Sequence, residues 1–83
     1  MRKYYFYLAR CSDNTLYAGY CADIKNREIK HNKGEGAKYT KYRAPIKIVY
    51  FEEFLTRSEA MKREAQIKGW SRVKKENLIK GLF

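Results

Sequence analysis

The chain has one proline, one histidine, two cysteines and only nine acidic residues among its 83. Each scarcity excludes something. Two cysteines and one histidine cannot supply the four ligands of a structural zinc. Cys11 closes the first apolar run and Cys21 follows the second, so in a hairpin the two sulfurs lie near opposite ends, beyond disulfide reach. They read as reduced thiols. The longest unbroken apolar run, Tyr4 to Ala9, is six residues, against about 20 for a membrane-spanning helix. No basic segment leads into a long apolar stretch as a secretory signal would. The expectation is a cytoplasmic protein without a membrane partner. No repeat, linker or low-complexity stretch divides the chain, so residues 1–83 read as a single domain.

What is abundant is positive charge and aromatic surface. Nineteen Lys and Arg leave a net charge of +10, and the pI is about 9.8. That field draws polyanions; nucleic acid is the first candidate, a ribosomal or membrane surface the second. The hydrophobic share of 45% and aromatic share of 16% are too high for a disordered chain.

Residues 3–11, KYYFYLARC, are apolar on both alternating faces, as in a strand covered on both sides. Ser12-Asp13-Asn14-Thr15 carries turn chemistry, with Asn14 suited to the left-handed conformation. LYAGYC over 16–21 reads as the returning strand, in which Gly19 marks a bulge or a close backbone approach. Asp23 caps a helix predicted over 24–33 and ended by Gly34. Its one face holds Ile24, Arg27, Glu28 and His31, of which only the first is apolar. Residues 34–45 form a long loop. IKIVYFEEF over 46–54 is a third strand, with Ile46, Ile48 and Tyr50 expected on one face. Thr56-Arg57-Ser58-Glu59 is a capping box opening a helix to about Lys68. Ser71 caps a last helix to about Lys80, closed by Gly81. The order β-β-α-β-α-α predicts an α+β domain on a small, largely antiparallel three-stranded sheet flanked by helices.

Several residues carry chemistry. Glu64 falls within the apolar stripe of its helix, between Ala60, Met61 and Ile67. An inward carboxylate is unfavourable unless it is paired, with Arg57 or Arg27 as partners in the chain, or binds a metal. Arg27 and His31, one turn apart, are either a cationic pair aimed at phosphate or a solvated basic face, and a lone His is also commonly a hydrogen-bonded structural residue. The loop Lys38-Tyr39-Thr40-Lys41-Tyr42-Arg43 interleaves cations for phosphates with aromatic faces for unpaired bases. Lys74 and Lys75, with Arg72 and Lys80, extend the basic surface. Tyr7 and Tyr17 lie on the hairpin strands; an odd loop puts them on the same side, an even loop on opposite sides.

Taken in order, these residues resemble the GIY-YIG nuclease superfamily, in particular its small stand-alone UPF0213-type members, across essentially the whole chain. Tyr5-Phe6-Tyr7-Leu8 matches the first motif and Leu16-Tyr17-Ala18-Gly19-Tyr20 the second, with Tyr5 in place of the family glycine and Ala18 in place of isoleucine. Asp23 to Arg27 with His31-Asn32, Gly36-Ala37-Lys38-Tyr39-Thr40, Arg57 to Ala60 with Arg63-Glu64 and Ile67-Lys68, and Trp70-Ser71-Arg72 with Lys74-Lys75 complete the set.

The resemblance implies the GIY-YIG fold and an endonuclease-like, metal-dependent hydrolysis of DNA phosphodiester bonds, at single-stranded, branched or repair-related structures. It implies one Mg²⁺ or Mn²⁺ ion on Glu64. Tyr17, or Tyr7 through it, would orient or deprotonate water. Arg27 would stabilise the pentacovalent phosphate, and His31 would assist proton transfer. Lys38, Tyr39, Lys41, Arg43, Lys74 and Lys75 are the expected nucleic-acid contacts. A protein partner would supply targeting that so small a chain lacks. The rival reading is a non-catalytic nucleic-acid-binding module, partner- or ribosome-associated, that retains the fold.

Overall fold

The computed structural model of the chain describes residues 2–35 and 38–82, Tyr39 by its backbone alone. The elements follow the predicted order: β1 (Tyr4–Arg10), β2 (Leu16–Cys21), α1 (Ile24–Asn32), a 3₁₀ turn (Lys38–Thr40), β3 (Lys47–Phe54), α2 (Arg57–Lys68) and α3 (Arg72–Lys80). The strands form one antiparallel sheet in the order β2-β1-β3, with β1 central.

Local chemistry accounts for the element ends. Asn14 adopts φ 68° in the first turn, where its short side chain tolerates the left-handed region. Asp23 accepts from the Asn26 N–H at 3.0 Å, and Ser71 from the Lys74 N–H at 3.2 Å. Thr56 Oγ1 accepts from the Glu59 N–H at 3.2 Å while its hydroxyl donates to the Glu59 carboxylate at 2.9 Å. Helix α1 ends with Lys33 as the cap and Gly34 at φ 75°, and α3 ends at Gly81 with φ 74°.

Because β1 is central, both its faces are covered. Phe6 and Leu8 pack with Ala18, Ile67 of α2 and Leu78 of α3. Tyr7, Ala9 and Cys11 pack on the other face with Cys21, Ile46 and, partly buried, Ile24 of α1. Both cysteines are free and buried.

The expected single face of β3 does not form. Leu8 pairs with Tyr50 but Ala9 pairs with Ile48, so Val49 has no residue opposite it. This bulge flips the alternation. Ile46 and Ile48 therefore join the Tyr7 side, whereas Tyr50 and Phe54 join the Phe6 side. The α2 stripe is also narrower than its periodicity suggests. Ala60 and Ile67 are buried, but Met61 is 42% exposed.

The polar inward face of α1 is explained by backbone rather than apolar partners. Glu28 Oε2 accepts from the Ile48 N–H at 2.7 Å. Asn32 grips Ile46 at both ends, Oδ1 accepting from its N–H at 2.6 Å and Nδ2 donating to its carbonyl at 2.9 Å. Here the side chains of α1 stand in for a sheet partner at the start of β3. At the other end of the molecule, Arg10 forks onto Glu76 at 2.9 and 2.7 Å and fastens α3 to the hairpin.

Candidate active site at the edge of β2

Strand β2 is an edge strand, and a cleft of about 300 Å³ opens along it. One wall comes from the Tyr7 side of the sheet: Tyr7, Tyr17 and Arg27 of α1. The other comes from the α2 side: Glu64, Arg57 and Tyr20. Gly19 lies between them. Arg10 pairs with Leu16, leaving the five residues 11–15 as the connection. That odd number places Tyr7 and Tyr17 on the same side, with ring centroids 6.3 Å apart.

Gly19 is required by space, not by backbone conformation. It has no positive φ, but a Cβ there would lie 2.5 Å from Tyr7 Oη and 2.6 Å from Tyr7 Cζ. The phenol thus crosses directly over the glycine, which is a close approach and not a bulge.

Behind Tyr7 is a buried polar chain. Tyr7 Oη is 2.8 Å from His31 Nε2, and His31 Nδ1 is 2.7 Å from Thr40 Oγ1. His31 and Thr40 are fully buried. Burial lowers the His31 pKa below its ordinary value of 6.5, and the positive charge of Arg27 lowers it further. His31 is therefore a neutral, hydrogen-bonded interior group rather than a cation presented with Arg27. Burial likewise pushes the Tyr7 phenol far above the ordinary tyrosine range, with Tyr17 adding to the shift and Arg27 opposing it. Tyr17 is raised by burial and then by the nearby Glu64 carboxylate, again against Arg27. Both phenols remain protonated at neutral pH.

Glu64 is half-buried, and among the described residues no side chain hydrogen-bonds or ion-pairs with it. Arg27 and Arg57 line the same cleft without pairing to it, and the Arg57 guanidinium lies 5.8 Å from the Tyr20 ring centroid. No cluster of three His, Cys, Asp or Glu exists among the described residues. A carboxylate without a side-chain partner among the described residues still fits a hydrated Mg²⁺, which characteristically takes one or two carboxylates and completes its shell with water and substrate phosphate.

None of the predicted basic contact residues lines this cleft. Lys38 is exposed, and Lys41 lies 5.4 Å over the ring of Tyr42. Gly36, Ala37 and the side chain of Tyr39 lie outside the described residues. Arg43 ion-pairs with Asp13 at 3.1 Å, and its carbonyl accepts from the Ser12 N–H at 2.8 Å, fastening the loop to the β1–β2 turn. Lys74 sits 5.0 Å over the Trp70 ring. Lys75 comes nearest, lining a neighbouring groove with Lys68, Leu16 and Tyr17. Sequence reasoning passed over Tyr20 as a cleft wall and Thr40 as the partner of His31. Thr40 stood inside a noted motif, but nothing local marked its hydroxyl.

The fold and this cleft define a nuclease-type catalytic domain. Residues 3–77 match the family model of the GIY-YIG catalytic domain, and the chain belongs to that family. More particularly, it is similar to a UPF0213 protein of Staphylococcus saprophyticus, 57% identical over 79 residues that cover 95% of this chain and 96% of the relative. A UPF0213 protein of Staphylococcus aureus is 51% identical over 80 residues, covering 96% and 98%. Among solved structures, the UPF0213 protein BH0048 of Bacillus halodurans aligns with a TM-score of 0.60 and 41% identity, over 94% of this chain and 83% of that one. The protein EF2693 of E. faecalis aligns with a TM-score of 0.63 and 39% identity, over 99% and 88%. A family of this type acts on nucleic acid, and among the described residues no helix is long and apolar enough to cross a membrane.

Proposed function

We propose that the chain hydrolyses phosphodiester bonds of DNA in the β2-edge cleft, with a divalent ion held by Glu64. The observation that carries this reading is the convergence of Tyr7, Tyr17, Arg27 and Glu64 on one opening, with no hydrogen bond or ion pair to the Glu64 carboxylate among the described residues. When bound, Mg²⁺ or Mn²⁺ would supply Lewis-acid stabilisation of charge on the phosphate and the leaving oxygen.

The remaining chemistry belongs to the chain's own residues. Tyr17 orients the attacking water at the cleft wall. Tyr7 acts as a neutral relay: its oxygen receives the water's proton as its own proton passes to His31 Nε2, 2.8 Å away. For this, Nδ1 carries the imidazole proton and donates it to Thr40, so Thr40 selects the tautomer. A phenolate is not needed, in keeping with the raised Tyr7 pKa. Arg27 places a guanidinium where charge grows on the phosphate oxygens.

The test is cleavage of end-labelled single-stranded, duplex and branched DNA, with and without Mg²⁺ or Mn²⁺, wild type beside Glu64→Gln. Metal-dependent nicking that disappears in the variant is expected, and the preferred structure is read from the same gel. Salt-sensitive binding with no cleavage of any substrate would instead establish a non-catalytic module.

A further inference from the structure

A second cavity of about 260 Å³ adjoins the cleft and shares Tyr20, Arg27 and Arg57 with it. Arg2 enters from the start of the chain and Tyr4 from β1, so three guanidinium side chains surround one void, and no lining residue is acidic. Like charges around a common space repel unless an anion lies among them. Guanidinium groups suit a phosphate in particular, because their planar forks donate to two oxygens at once. At about 30 Å³ per water, the cavity has room for a phosphate and part of its sugar.

Position gives the cavity its meaning. Arg27 lines both openings, so an anion here lies beside whatever occupies the cleft. The third opening, reached past Ala22, is lined by Asp23, Glu53 and Lys25, with Glu53 ion-paired to Lys3 at 3.2 Å, so beyond Arg2 the lining of one sign gives way to mixed charge. On the far side of the cleft the groove of Lys68 and Lys75 meets Tyr17. A strand crossing the cleft thus passes from a two-lysine groove to a three-arginine cavity.

We infer that the Arg2–Arg27–Arg57 cavity is a second phosphate subsite, holding a phosphate of the bound strand next to the one in the cleft. The inference rests on reading that cleft as a phosphodiester site. The occupant is either an internal diester or a terminal monoester, and the more highly charged monoester is the stronger counter-charge for three guanidinium groups.

The experiment measures binding by fluorescence anisotropy in EDTA, so that no cleavage intrudes. The probes are labelled oligothymidylate hexamers bearing a 5′-phosphate, a 3′-phosphate or neither. The proteins are wild type, Arg57→Gln, Arg2→Gln, the double variant, and Lys30→Gln, exposed on α1, as a charge-matched control away from the cavity. Affinity is expected to fall about tenfold for each cavity arginine removed, as for a lost charge-assisted contact. The log–log salt slope should become shallower by about 0.7 for a single-strand phosphate contact. The control should change far less. Preferential loss on one terminally phosphorylated probe identifies a monoester subsite; equal loss on all three identifies an internal diester. Affinities and slopes that match Lys30→Gln on every probe would overturn the inference. Arg2 is exposed, so Arg2→Gln alone decides the matter if Arg57→Gln disturbs folding. Parallel cleavage of long DNA with Mg²⁺ separates the two ideas. Wild-type cleavage with unaltered variant binding removes only the subsite, and variant binding defects without wild-type cleavage remove only the nuclease.

Discussion

Gly19→Ala is the sharpest probe of how the site is built. The new methyl group would sit 2.5 Å from Tyr7 Oη and 2.6 Å from Cζ, well inside van der Waals contact. Tyr7 is 2% exposed and held by His31 at 2.8 Å, so its ring can retreat from the methyl group only by giving up that hydrogen bond and its packing. Overpacking of this kind costs about 1–3 kcal/mol. Displacing the phenol also leaves buried His31 Nε2 without its partner, another ~1–3 kcal/mol. A total near 3 kcal/mol would lower the melting temperature of a domain this size by roughly 12–24 °C. Thermal and urea denaturation followed by circular dichroism measure it. Tyr7→Phe separates the two contributions, since it removes the hydroxyl but leaves Cζ in the path of the methyl group. Combining Gly19→Ala with Tyr7→Leu, which withdraws the ring, should cost at least about 1 kcal/mol less than the sum of the single changes, the signature of direct contact. Additive costs, or a Gly19→Ala protein that melts with wild type, would refute the close-approach argument.

Glu64→Gln should leave stability within about 0.5 kcal/mol of wild type, because no described side chain depends on the carboxylate; a loss of several kcal/mol would mean that it serves a buried ion pair. His31 is the chain's single histidine, and its lowered pKa means the unfolded chain takes up the proton first as pH falls. Its contribution is therefore complete above about pH 6.5 and is lost below it, so the melting temperature should drop from pH 7 towards pH 5, and the drop should flatten in His31→Gln. The acid limb of kcat/KM reports the folded enzyme, where burial and Arg27 hold the His31 pKa below its ordinary value of 6.5, so activity should persist to lower pH than a free imidazole would allow. Glu76→Gln breaks the Arg10 fork, whose partners are 29% and 22% exposed, and should cost about 1 kcal/mol; hydrogen exchange should quicken in α3 while α2 keeps its protection.

The parts of the fold legible from sequence were those set within a few residues. Asp23, Thr56 and Ser71 cap helices because a short oxygen-bearing side chain meets N–H groups two or three positions on. Asn14 turns the first hairpin by its own conformational tolerance. The β3 face was misread for the opposite reason: alternation inside 46–54 contains no sign of the bulge at Val49, which arises from the register against Leu8 and Ala9. The choice among the readings of His31 lay beyond the sequence, because its depressed pKa comes from enclosure by elements remote in sequence and from Arg27. Arg43 looked free for phosphate until the hairpin brought Asp13 to it.

The sequence alone determined the elements, their caps, the excess of positive charge and the residue types a phosphodiester site needs, since all of these depend on local dihedral preference and composition. Only the tertiary structure decided that Tyr7 and Tyr17 share a face, that Gly19 makes room for a phenol, and that α1 and α2 bring Arg27 and Glu64 to one edge of β2. Those outcomes depend on strand register and on which groups are left without partners, and both are properties of contacts between distant segments.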